Sequence, residues 1–152
     1  MRKIIIAGSA TFYKEALELK QELENKNYYV IDYPKKINDD IELEYKEAYE
    51  TFYDNLSKTD DLLLLNLDKK GIEGYIGYES FAELSYLVVK KIQENSDHKI
   101  YIYKMPSKEV GCYDEINHFL ELGYINIYEL EVENENKQRT NGKCNEISYR
   151  RS

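Results

Sequence analysis

Four consecutive leucines, Leu62 to Leu65, stand between Asp61 and Asn66. A run this brief between polar flanks reads as a β-strand buried on both faces, not as a helix with one apolar stripe. Strands of that kind belong to parallel sheets covered by helices on either side, so this one segment directs the chain towards an α/β architecture.

The flanking sequence carries the same alternation. Lys3 to Ala7 is β-branched and apolar and stops at Gly8-Ser9, as a buried strand entering a loop does. Ala16, Leu17, Leu19 and Leu23 then follow at roughly helical spacing, and Asn25 and Asn27 mark the end of that helix. Tyr28 to Tyr33 is a second strand ended by Pro34. Asp39-Asp40 open a long charged helical stretch to about Leu56, whose Tyr45, Tyr49, Phe52 and Tyr53 share one face and read as core packing. After the leucine strand, Phe81 to Ile92 has the apolar spacing of a helix. Lys99 to Tyr103 is a strand, Asp114 to Leu122 a helix and Tyr124 to Tyr128 the fifth strand.

Right-handed crossovers between such units predict a five-stranded parallel sheet in a three-layer, flavodoxin-like α/β domain, with 2-1-3-4-5 the commonest strand order. The domain is expected over residues 1–130. Residues 131–152 have almost no apolar side chains and are expected as a flexible polar tail.

The net charge is −8, and residues 1–130, with 16 basic against 25 acidic side chains, carry −9 of it. A body this acidic argues against polymeric nucleic acid as a partner, whose binding needs Lys and Arg to neutralise phosphates. A small nucleotide needs only a few local donors and stays open. Cys112 and Cys144 suggest neither a disulfide framework nor a metal cluster, and a reducing cytoplasm is the expected compartment. His98 and His118 lack ligand-spaced partners, so no metal site is expected. The apolar run near the start is too short for a signal peptide, and no stretch is long enough to span a bilayer.

In open α/β sheets ligands bind beyond the carboxyl ends of the strands where the strand order reverses. With order 2-1-3-4-5 that crevice is bordered by Gly8 to Thr11 and by Asn66 to Gly77. Ser9 can donate to a phosphate or cap the following helix. Asn66 and Asp68, two apart, can point to one side and orient a ribose hydroxyl or a base, or they can start a turn. Tyr75 and Tyr78 can stack on a base or pack. Ser80-x-x-Glu83 precedes an apolar helical run and matches a capping box; it also places a carboxylate beside the crevice. Glu79 is the adjacent acid, suited to a solvated first turn.

Ala7-Gly8-Ser9, the strand end with Asn66 and Asp68, and Ser80 to Tyr86 together resemble the nucleoside 2-deoxyribosyltransferase superfamily. Asn66 to Ile72 with Tyr75-Ile76-Gly77, Pro106 and Tyr113 to Ile116 is similar, more narrowly, to a group of small bacterial proteins of that superfamily. The likeness covers roughly residues 2–128. It implies cleavage of the N-glycosidic bond of a deoxyribonucleoside or its 5′-monophosphate, with transfer to a new base or to water. It places Ser80 and the catalytic nucleophile Glu83 on the helix after the third strand, and the crevice position adds Gly8, Ser9, Asn66, Asp68, Tyr75 and Gly77 as expected substrate contacts. It further implies no cofactor, and a homo-oligomer in which a neighbour completes the pocket. A carboxylate suits such chemistry because an anion can stabilise or capture an oxocarbenium-like sugar carbon. Three positions depart from the family pattern. Phe52 falls near a helix aspartate, with Asp54 close by; Ile5 or its neighbours replace a first-strand tyrosine. Ser85 and Leu87 replace small residues and are expected to narrow the space beside the helix.

Overall fold

In the computed structural model, which describes residues 1–36, 41–128 and 135–137, the leucine run lies at the centre of a five-stranded parallel sheet. The strands are β1 (Lys3–Ala7), β2 (Tyr29–Asp32), β3 (Asp61–Leu64), β4 (Lys99–Ile102) and β5 (Asn126–Ile127), in the order β2-β1-β3-β4-β5. The helices are α1 (Tyr13–Asn25), α2 (Ile41–Leu56), α3 (Tyr78–Glu94) and α4 (Tyr113–Glu121), with a short 3-10 turn at Ala10–Phe12 before α1. This is the flavodoxin-like three-layer arrangement. The expected opening of the second helix at Asp39 and Asp40, and nearly all of the expected tail, fall outside the described residues. No helix among the described residues is long and apolar enough to cross a membrane.

Side chains alternate across a strand, and β3 shows why its leucines must be continuous. Leu62 and Leu64, with Ile5, Ala7, Ile100 and Ile102, join Leu84, Leu87 and Val88 of α3 and Ile116 and Leu120 of α4 in one core. Leu63 and Leu65, with Ile4 and Ile6, pack on the opposite face under Ala16, Leu19 and Leu23 of α1. Both faces are dry, so neither set can be polar. At the amino end of the sheet the Arg2 guanidinium donates to both oxygens of the fully buried Asp61, at 2.9 and 2.6 Å. Asp61 also accepts from the backbone of Lys99 at 3.0 Å, which ties β3 to β4.

The edge pairing contains one irregularity that shapes the site. β1 and β2 run in register at Lys3–Tyr29 and Ile4–Val30, and then Ile5 faces Asp32, leaving Ile31 as an extra residue. Such a bulge turns the following side chain to the other face of the sheet. Val30 packs towards α1, whereas Asp32 falls opposite Ile5, on the side of α2 and α3.

Candidate active site

The carboxyl ends of β2, β1 and β3 open into a crevice of ≈ 630 Å³, roofed by α2 and the start of α3. Gly8 forms its floor with φ 151°, and a Cβ there would meet the carbonyl oxygen of Leu65 at 3.1 Å, so only glycine lets the two strand ends approach. Ser9 follows and lines the crevice. Its hydroxyl accepts from the backbone of Thr11 at 3.2 Å and from Lys69 Nζ at 3.1 Å, so it both caps the 3-10 turn and holds a cation at the crevice wall.

Lys69 reaches Ser9 because the chain beyond β3 makes a tight reversal. Lys69 and Ile72 exchange both backbone hydrogen bonds, at 3.1 and 3.0 Å, around Lys70 and Gly71 with φ of 55° and 76°. Positive φ at both central residues is the two-residue hairpin turn whose twist suits flanking extended chain. Lys69 Nζ also lies 5.3 Å over the ring of Tyr75, which lines the same wall.

Asn66 and Asp68 do not line the crevice, and their bonds show why. The buried Asn66 amide donates to the carbonyls of Gly74 at 3.2 Å and Lys104 at 2.8 Å, and its oxygen accepts from the backbones of Tyr103 at 2.8 Å and Lys104 at 3.2 Å. Asp68 accepts from Gly74 N and Lys104 Nζ, both at 3.0 Å, and these donors hold its carboxyl below the ordinary range. The pair expected to orient a ribose hydroxyl or a base is instead engaged in fastening the loop, as turn-forming residues are, and neither side chain borders the crevice. Gly74 sits against Pro106, where a Cβ would approach its Cα to 2.8 Å.

The capping-box alternative also falls away. α3 begins at Tyr78, three residues earlier than the spacing of apolar residues predicts, and Gly77 is its N-cap, with its carbonyl accepting from Phe81 N at 3.0 Å. Ser80 is thus inside the first turn, 7% exposed, and lines the crevice with Gly77, Tyr75 and Glu83. Tyr78 is 82% exposed at the crevice mouth.

Glu83, one turn further along α3, presents a half-buried carboxyl to the crevice. Burial first, and then the negative charges of Glu79 and Asp32, push its pKa up to about 8. Every one of these causes acts in the same direction, so this setting favours the neutral acid at neutral pH. Glu79 is exposed and accepts a hydrogen bond from the Tyr45 hydroxyl of α2, and that bond, with burial, pushes the phenol up to about 12. Tyr45, Tyr49 and Tyr53 form a ladder along α2, with ring centroids 5.9 and 4.9 Å apart. Tyr45 and Tyr49 are each 38% exposed and line the crevice, whereas Phe52 and Tyr53 pack against the core, so the face read from spacing as core packing is shared between the core and the wall of the site.

The departures from the family pattern resolve unevenly. Phe52 lines the crevice, and Asp54 is turned to solvent, paired with Lys58 at 2.9 Å. Ile5 is sealed in the core. Leu87 is likewise in the core, and neither it nor Ser85 borders the crevice, so the expected narrowing beside α3 does not arise from them. His98 is far from the site and bonds through Nδ1 to the Asp60 carbonyl at 2.7 Å. Among the described residues no group of three or more His, Cys, Asp or Glu is placed to hold a metal ion.

The residue missed from sequence is Asp32, which lines the crevice at 5% exposure. Its only signal was position, at a strand end before Pro34, and the bulge that turns it inward has no composition of its own. Neither protein-family models nor curated proteins yield a match to this chain.

Proposed function

We propose that the chain cleaves or transfers at the N-glycosidic bond of a deoxyribonucleoside or its 5′-monophosphate, with Glu83 as nucleophile. The observation that carries the proposal is a carboxyl on the first turns of α3, facing a crevice large enough for a nucleoside, between a glycine floor and tyrosine-rich walls. Ionised Glu83 attacks C1′ as the C1′–N bond breaks. The bonding pair leaves with the base, which takes a proton from solvent, and water or a second base then attacks C1′, returns a proton to solvent and frees the carboxylate as the C1′–O bond breaks. Tyr75, Tyr49 and Tyr78 offer faces for the base. Lys69 beside Ser9 suits a 5′ oxygen or phosphate. A reducing cytoplasm suits such a salvage activity, and a homo-oligomer that completes the crevice is testable by light scattering.

Chromatography of a deoxynucleoside and deoxynucleotide panel should reveal free base, or base exchange when a second base is added. Because attack needs the anion, kcat/KM should climb with pH and level off above about 8. Glu83→Gln should lower turnover by about a thousandfold or more; a variant with full turnover would remove Glu83 from the chemistry.

A binding module without efficient chemistry is the second reading, favoured by Phe52 in the crevice wall and by the neutral form of Glu83. It predicts a ligand-dependent rise in unfolding temperature with no product formed.

A further inference from the structure

We infer that Asp32 is the acceptor for a ring hydroxyl of the ligand, the C3′ hydroxyl of a 2-deoxyribosyl group, an inference that rests on the glycosidic reading above. Three observations lead there. The first is the bulge itself. In an uninterrupted strand Asp32 would follow Val30 to the α1 side, whereas the extra residue at Ile31 sets it opposite Ile5 and into the crevice. A ladder irregularity is a local loss of pairing, and such irregularities concentrate where a side chain must be re-aimed beside a site.

The second is how the carboxylate is held. Oδ1 accepts from Tyr33 N at 2.8 Å and lies 3.3 Å from Lys35 Nζ; Oδ2 accepts from Asn55 Nδ2 at 2.9 Å. A carboxylate has about four lone-pair positions. Among the described residues each oxygen accepts one hydrogen bond and Lys35 stands against Oδ1, so the group is fixed in orientation, and Oδ2 keeps room for a further donor. One fixed acceptor in a crevice recognises one hydroxyl.

The third is the division of the crevice. Glu83 projects from α3, Lys69 and Ser9 stand at the β1 and β3 ends, and Asp32 enters from β2 with Lys35 beside it, so the two carboxyl groups and the Lys69 cation occupy three separate walls. With the anomeric carbon at Glu83 and the 5′ oxygen towards the Lys69 cation, the ring hydroxyl is the remaining polar group of the sugar, and Asp32 is the acceptor on the remaining wall.

The test is calorimetric titration of the full chain with 2′-deoxynucleosides, their 5′-monophosphates and the matching 2′,3′-dideoxy compounds. Wild type should bind each dideoxy compound roughly 10- to 100-fold more weakly, the usual worth of a hydrogen bond to a charged group. In Asp32→Ala the deoxy ligand should weaken by a similar factor, and removing the hydroxyl should then cost almost nothing further. Asn55→Ala, which keeps the carboxylate and frees its orientation, should lose part of the discrimination, and it serves if Asp32→Ala does not fold. Equal affinity of wild type for both members of a pair, or unchanged discrimination in the variants, overturns the assignment of Asp32 and leaves the glycosidic proposal standing. If no member of the panel binds or reacts, the glycosidic proposal falls and takes this inference with it.

Discussion

Replacing Glu83 by Gln should stabilise the ligand-free protein in mild alkali and leave it nearly unchanged in mild acid. The folded chain raises the Glu83 pKa from 4.5 to about 8, through burial and the charges of Glu79 and Asp32. Below the lower value the group is protonated in both states and imposes no penalty. Between the two values the unfolded chain sheds the proton and the native chain keeps it, so native stability declines as pH rises and the favourable contribution is gone once pH passes about 8. At about 1.4 kcal/mol per pKa unit the full rise corresponds to an upper bound of roughly 5 kcal/mol, and water entering an open crevice reduces that to on the order of 2 to 3 kcal/mol. Glutamine has the same shape and does not ionise, so the variant escapes the decline. Urea unfolding of both proteins from about pH 5 to about pH 9 measures the difference directly. A difference that stays constant across that range would show that Glu83 ionises as readily in the fold as in water, and the account of its environment would be wrong.

Asn66→Ala should cost about 3 kcal/mol in urea unfolding, because it removes a buried amide with four hydrogen bonds to the backbone of Gly74, Tyr103 and Lys104. Arg2→Leu should cost about 3 kcal/mol near neutral pH, since it leaves the buried Asp61 without its cation. Gly8→Ala should lower stability by about 1 to 2 kcal/mol and displace the Leu65 carbonyl from the crevice floor, read by thermal unfolding and by ligand titration together.

The elements that could be read from sequence were those whose apolar pattern is their cause. Leu62 to Leu65 are continuous because both faces of β3 are buried, and that continuity pointed to the parallel sheet, whose strand order followed from the commonest topology of such domains. The start of α3 was harder, since Tyr78 and Glu79 lie at the exposed end of the helix, where no apolar periodicity marks the first turn. Asn66 and Asp68 were expected as ligand contacts because their types fit both recognition and turn formation, and only their partners, more than thirty residues away at Tyr103 and Lys104, separate the two roles. Asp32 was illegible for a sharper reason: a shift of one residue in pairing decides which face it takes, and that register is set by β1, not by its own neighbours.

The fastening of the loop beyond β3 has a mechanical corollary. Asn66 grips two backbone segments, at Gly74 and at Tyr103-Lys104, Asp68 holds Gly74 and Lys104, and Ser107 N donates to the Glu73 carbonyl at 2.9 Å, so this jaw of the crevice is braced against the chain beyond β4. A guest of unfamiliar shape meets a stiff anvil there, and accommodation has to come from the tyrosine ladder on the facing helix. Enlarging or reshaping the cavity by substitution is therefore best attempted at Tyr45, Tyr49 and Phe52, where side chains can be exchanged without unpicking the braces that keep the sheet ends aligned.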